Sequence, residues 1–280
     1  MSTSRTCPSV AGPRPTPVSS PSSARGSCTA WARTASAECD HITSQTGGVT
    51  VAAVQFVAVV GDVADNIARS ERIARKAIAR GAHLIVFPEL SLTGYHLDLA
   101  DGEWFVPGDD RLHGLRRAAA DADALVVVGA PVIDCGARCL ASLVVGGASD
   151  LVAAKTHLHG GEVDVFVPAE DVVVAPLRGR KLGFAVCLDT AFGSHADAVR
   201  VAGADAYIAS VLYAQGEEEK HDTRMSRRAR DTGMAVVSAN LGGFPNGVRS
   251  AGCSGVWAST GLPVASALGR DDEVVLTALP

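Results

Sequence analysis

From Val49 to the end of the chain, two hydrophobic rhythms alternate. Short runs that are apolar at nearly every position predict strands buried on both faces. Stretches with apolar residues every three or four positions predict amphipathic helices. Val51–Val60 reads as a strand. Asp62–Arg80 reads as a helix that turns Ile67, Ala74, Ala77 and Ile78 to one face, with Gly81 as its stop. Leu84–Phe87 is a strand ending at Pro88-Glu89, Asp110–Asp121 a helix and Leu125–Val132 a strand. Leu140–Val145 and Leu151–Ala154 read as successive strands joined by a turn at Gly146-Gly147, and Val172–Val174 and Leu182–Val186 as two more. Ala191–Gly203 predicts a helix, Ala206–Leu212 a strand, Glu217–Thr232 a helix stopped by Gly233, and Ala235–Ala239 a strand. Short strands fill Gly255 to Leu279. This alternation predicts an α/β fold whose sheets are covered on at least one face by helices. No internal repeat stands out.

Residues 1–48 follow neither rhythm. They are rich in Ser, Pro, Ala, Thr and Arg and carry a charge of +2, against −7 for the remainder. Such a segment buries too little apolar surface to offset its ordering entropy, so a disordered, dispensable tail is expected, with the folded domain over 49–280. An organelle transit peptide has a similar composition, and a start codon placed too early would leave the same trace. The whole chain has 280 residues, 47% of them hydrophobic and 20% charged, which suits one large domain. The net charge of −5 argues against a nucleic-acid surface. No apolar run approaches the ~20 residues of a membrane span, so no membrane partner is expected. The seven cysteines are irregularly spaced, and no second pair follows Cys135 and Cys139 at zinc-site spacing. No metal site is expected. Residues 1–30 contain no apolar leader core, and a cytoplasmic protein with reduced thiols is the plain expectation, targeting by residues 1–48 staying open.

Three segments place a reactive side chain beside a strand. Glu89 follows Leu84–Phe87, Lys155 follows Leu151–Ala154, and Cys187 follows Leu182–Val186 and precedes a helical stretch. A carboxylate, an ammonium and a thiol are the base, oxyanion stabiliser and nucleophile of a thiol-based hydrolase. Taken singly, each has a plainer reading: a loop carboxylate, a solvated lysine, a core cysteine. A strand-to-helix turn at Cys187 would also aim backbone amides at the thiol and at an oxyanion. Glu162, in a Gly-rich loop, could orient Lys155 or a water. Tyr95, Trp104, Phe105, Tyr213 and His195 are candidate pocket residues, with ordinary packing or, for His195, a surface helix position as the alternative.

Together these segments resemble the nitrilase superfamily, the carbon–nitrogen hydrolases. Leu84 to Tyr95 is similar to the family's glutamate motif, Lys155-Thr156-His157-Leu158 to its lysine motif and Cys187-Leu188-Asp189 to its Cys-x-Asp motif. Val51 to Phe56 resembles the family's first strand, Ala229-Arg230 through Asn240 its late helix–strand unit, and Ser254-Gly255-Val256 through Gly261 its late hairpin. The resemblance implies an αββα sandwich of two mixed β-sheets flanked by helices. It implies amide or nitrile hydrolysis through a Cys-bound acyl intermediate, with Glu89 as general base, Cys187 as nucleophile, and Lys155 and the Leu188 N–H as oxyanion hole. Glu162 matches the family's second glutamate. No metal or organic cofactor is implied, and a homodimer or larger assembly is.

Departures from the family pattern fall on the walls: Ala153-Ala154 before the lysine, Leu188 after the cysteine, and Thr190 to His195 beyond it. The leading expectation is hydrolysis of a small linear amide with release of ammonia. An N-carbamoyl amino acid or a nitrile would use the same residues. A carbamoyl amino acid would need a cation for its carboxylate, and Arg224, Arg227 and Arg228 are sources. Two other classes stay open: a catalytically silent regulatory relative, and acyl transfer to an amine.

Overall fold

The computed structural model describes residues 48–280, so the tail expected over 1–48 lies, but for Gly48, outside the described residues. Twelve strands and four α-helices follow in the order β1 (Thr50–Gln55), α1 (Val63–Ala79), β2 (Leu84–Val86), α2 (His113–Ala120), β3 (Leu125–Asp134), β4 (Ala137–Val145), β5 (Leu151–Ala154), β6 (Val174–Leu177), β7 (Arg180–Val186), α3 (Gly193–Val201), β8 (Ala206–Val211), α4 (Glu218–Thr232), β9 (Ala235–Asn240), β10 (Gly255–Trp257), β11 (Pro263–Ser266) and β12 (Glu273–Ala278). They form two six-stranded mixed sheets, ordered β12-β1-β2-β3-β4-β5 and β11-β10-β9-β8-β7-β6. In each, three central strands run parallel and the flanking pairs antiparallel.

Alternation along the strands builds the layers. Val51 and Ala53 of β1, Leu84 and Val86 of β2, Ala206 and Ile208 of β8 and Val237 of β9 meet between the sheets. Ala52, Val54 and Ile85 face the opposite way and pack with Ala74 and Ala77 of α1 and Leu115 of α2. Tyr207, Ala209 and Val211 pack with Val199 of α3 and Met225 and Ala229 of α4. Both faces of each central strand are therefore buried, which is why these strands are apolar at successive positions. Each fully buried Val, Leu or Ile contributes about 1.5–3 kcal/mol of transfer free energy.

Helix boundaries agree with the caps. Asp62 caps α1 by accepting the Asp65 N–H at 3.0 Å. Gly233 closes α4 in the left-handed conformation, φ 71°. Several boundaries differ from expectation; β3 and β4, for instance, reach Asp134 and Ala137, and α2 starts only at His113 after a 3₁₀ turn. The first strand ends at Gln55 rather than Val60, because its partner β12 stops pairing there and the Gln55 amide is captured by the Gly269 and Asp271 carbonyls at 3.1 and 2.8 Å. Val59 and Val60 lie beyond that clamp and are exposed. The strand expected at Val172–Val174 starts only at Val174 and runs to Leu177, in register with β7. The helix expected from Ala191 is a 3₁₀ turn over Cys187–Ala191 followed by α3. Among the described residues, no helix is long and apolar enough to cross a membrane, and no group of three or more His, Cys, Asp or Glu is placed to hold a metal ion.

Candidate active site

Glu89 sits on a sharp turn after β2. Leu90, the next residue, has φ +48°, a left-handed conformation that costs a non-glycine residue energy. Neighbours hold the turn in place. Ser210 Oγ on β8 donates to the Phe87 carbonyl at 2.8 Å, and the Gly129 N–H donates to Ser91 Oγ at 3.0 Å. Gly129 is required there, since a Cβ would lie 2.2 Å from the Pro88 oxygen and 2.3 Å from the Leu90 nitrogen. The Glu89 side chain is fully buried.

Lys155 leaves the end of β5, and its N–H donates to the Leu140 carbonyl at 2.8 Å. Its Nζ lies 2.7 Å from Glu89 Oε1 and 2.8 Å from Glu162 Oε1. Glu162 occupies a 3₁₀ turn, Gly160–Asp164, and is itself tied down. Its Oε1 accepts the Tyr95 hydroxyl at 2.7 Å and its Oε2 accepts the His159 N–H at 2.7 Å. Two carboxylates thus share one buried ammonium.

Cys187 follows β7 with φ +42°, a second strained turn. Its thiol donates to the Leu212 carbonyl at 3.5 Å. Asp189 locks this turn to the lysine segment. Its carboxylate accepts the N–H groups of Val186 at 3.0 Å, Thr156 at 3.2 Å and His157 at 2.8 Å, and lies 2.9 Å from His157 Nδ1. Leu188 is the second residue of the 3₁₀ turn, a position whose N–H has no acceptor within the turn. The sequence names Asp189 as part of a motif but does not show that it ties the lysine and cysteine segments together, because two of its donors, the Thr156 and His157 N–H groups, lie about thirty positions away.

Burial dominates the charge balance. It raises the Cys187 thiol well above the usual cysteine range, the nearby Glu89 carboxyl adding to this and Lys155 opposing it. Burial also raises Glu89, against the pull of Lys155 and with Glu162 reinforcing it. Burial alone would lower Lys155, but Glu89, Cys187 and Glu162 together more than offset it and hold the ammonium charged. The resting corner therefore stores a protonated thiol beside a carboxylate of raised basicity, the pairing general-base chemistry needs.

A cavity of about 250 Å³ opens onto this corner. Glu89, Lys155, Glu162, Cys187, Leu188, Tyr95 and Tyr213 all line it. His195 does not: it is buried at 5% exposure, with Nδ1 2.9 Å from the Tyr207 hydroxyl and Nε2 3.8 Å from Asp189. It belongs neither to the pocket nor to a helix surface, and it supports Asp189 from behind. Trp104 and Phe105 pack into apolar clusters instead. Of the three arginines considered for a substrate carboxylate, Arg224 lines the cavity, Arg227 points outward to Asp231, and Arg228 is buried against Gly193. Glu217 and Lys220, which also line the cavity, are not marked by any sequence motif.

A family model described as carbon–nitrogen hydrolase matches residues 50–280. An (R)-stereoselective amidase of Pseudomonas sp. is 28% identical over 208 residues, 72% of this chain and 74% of that one. A nitrilase of Pyrococcus abyssi is 28% identical over 216 residues, 74% of this chain and 80% of that one. Among solved structures, a mutant of the nitrilase-superfamily amidase from Nesterenkonia sp. AN1, with acrylamide added to its active-site cysteine, superposes with a TM-score of 0.75. It is 25% identical, covering 83% of this chain and 93% of that one.

Proposed function

We propose that this chain, which belongs to the carbon–nitrogen hydrolase family, hydrolyses a small linear carboxamide through a Cys187-bound thioester and releases ammonia. The observation that carries the reading is the bridging Lys155 ammonium, 2.7 Å from Glu89, in a buried corner whose cavity also exposes Cys187.

In this reading Glu89 takes the thiol proton as Sγ attacks the carbonyl carbon. The oxygen of the tetrahedral adduct becomes an oxyanion, met by Lys155 Nζ and the Leu188 N–H. Glu89 then returns the proton to the nitrogen, the C–N bond breaks, and ammonia leaves a thioester. Water, losing a proton to Glu89, attacks that thioester and restores the thiol with release of the carboxylic acid. Glu162 acts one step removed: it holds Lys155 charged and oriented. The modest cavity favours a short substrate.

Cys187→Ala should lower ammonia release from butyramide by at least ~10⁴-fold, as loss of a nucleophile does, while the melting temperature stays near that of the unmodified protein. Retained turnover in that variant would overturn the mechanism. Mass spectrometry of the reacting protein should show an acyl adduct on the peptide that carries Cys187.

A further inference from the structure

Among the described residues, Arg224 is the cation of the cavity wall with no carboxylate at ion-pair distance. Lys220 and Glu217 neutralise each other at 2.6 Å, and the other Glu217 oxygen accepts the Ala214 N–H at 3.0 Å. Arg224, one helical turn further along α4, makes a single hydrogen bond, from Nη1 to the Tyr213 hydroxyl at 3.0 Å. Glu217 feels the Arg224 charge but makes its close contacts with Lys220 and the Ala214 N–H instead. The guanidinium, partly buried in the cavity wall, therefore keeps most of its N–H donors unused.

Its one hydrogen bond is directional. Thr190 Oγ1 spends its proton on the Cys187 carbonyl at 2.6 Å, so at the 3.1 Å contact with Tyr213 it must accept. The Tyr213 hydroxyl therefore donates to Thr190 and accepts from Arg224. Three hydrogen bonds lead from the guanidinium to the Cys187 carbonyl, and both residues line the same cavity. Elsewhere in the cavity the cations are already paired, Lys155 with Glu89 and Glu162 and Lys220 with Glu217, which leaves Arg224 as the place for a substrate carboxylate.

Resting on the amidase reading above, we infer that the substrate is the amide of a carboxylic acid bearing a second, free carboxylate, which Arg224 binds while the carboxamide faces Cys187. A planar guanidinium with free N–H pairs is suited to bidentate capture of a carboxylate. The carboxylate would also give Arg224 the ion-pair partner it lacks.

Succinamate and glutaramate are the anionic probes, and butyramide the neutral one. The unmodified enzyme should show a kcat/KM for the better anionic probe at least ~10-fold above that for butyramide. Arg224→Met should raise KM for the anionic probe by about 10- to 100-fold, the range of a charge-assisted hydrogen bond, with kcat nearly unchanged. The same change should move butyramide less than about threefold, and Arg224→Lys should restore part of the loss. Tyr213→Phe, which keeps the guanidinium but cuts the relay to Cys187, should instead slow both probes alike. Equal loss on both probes in Arg224→Met, or a preference of the unmodified enzyme for butyramide, would overturn the inference while leaving the amidase reading intact. Calorimetric titration of succinamate into Cys187→Ala protein tests it without turnover. Binding there, weakened by adding Arg224→Met, supports the inference even if no probe is hydrolysed; absent binding, or binding indifferent to Arg224, overturns it.

Discussion

The segments β1–β5 and β7–β11 are wired alike. Each has three parallel strands in chain order, a helix after the first and another after the second, and then two antiparallel strands toward one edge. Each sheet is completed on the other edge by one antiparallel strand, β12 beside β1 and β6 beside β7. The two halves part company at the carboxyl ends of their strands. In the first half, the β2 end carries Glu89 and the β5 end carries Lys155. In the second, the β7 end carries Cys187, and α4 with its N-cap residue brings Glu217, Lys220 and Arg224 to the cavity. Both halves place a non-glycine residue with positive φ at the site, Leu90 in the first and Cys187 and Asn246 in the second. Interior strand positions are tied to one another by packing, whereas strand ends meet only loops. A repeated frame therefore leaves those ends free to take on different chemistry.

Lys155 holds the two carboxylates of the site beside Cys187, so its loss should have the largest effect after that of Cys187 itself. Lys155→Met should cut acylation by at least ~100-fold, measured by single-turnover ammonia release. An unchanged rate would make the lysine a structural tie between the Glu89 and Glu162 loops and nothing more.

Acid should separate the halves. Among the described residues, the two strongly buried imidazoles, His195 and His221, both belong to the second half. Burial lowers His221 from 6.5 to about 4, with its ring between Tyr213 and Trp257 and Nε2 2.8 Å from Ser238 Oγ. The folded state favours the neutral ring, so this contribution is present above pH 6.5 and is lost as the pH falls toward 4. The loss from His221 is about 3 kcal/mol. Denaturant midpoints across that window should drop, less steeply in His221→Gln, and amides of α4 and β9 should exchange before those of α1 and β2. Uniform exchange across both sheets would count against the asymmetry.

A glycine in each half gives the smallest and finest contrast. Gly129 faces backbone, whereas at Gly183 a Cβ would lie 2.0 Å from Val199 Cγ1, a side-chain atom on α3. Overpacking against a side chain that can rotate costs about 1–3 kcal/mol. Gly183→Ala should therefore lower the melting temperature with kcat nearly intact. Gly129→Ala should lower activity as well, because it displaces the turn that carries Glu89. Equal activity in the two variants would show that Glu89 tolerates the shift.

The chain's own pattern was enough to predict buried strands alternating with covering helices and to mark the central candidate residues, while the two-sheet sandwich was implied by the family resemblance. Buried strands are apolar at successive positions whatever their neighbours, and Glu89, Lys155 and Cys187 each stand out as a polar or reactive group ending such a run. Gly81 and Gly233 stop helices where the backbone has positive φ, a demand that is local and so readable in sequence. The duplicated wiring left no trace, since the two halves share connectivity and not residues. Nor could an apolar run announce where its neighbour stops pairing, which is why the first strand ends at Gln55, well short of Val60. Tertiary structure alone decided that Asp189 gathers N–H groups from two segments, that His195 lies beneath it, and that Arg224 faces the cavity while Arg228 does not. Each of these depends on which elements come to lie side by side, and hydrophobic periodicity records how deeply a residue is buried without recording against what.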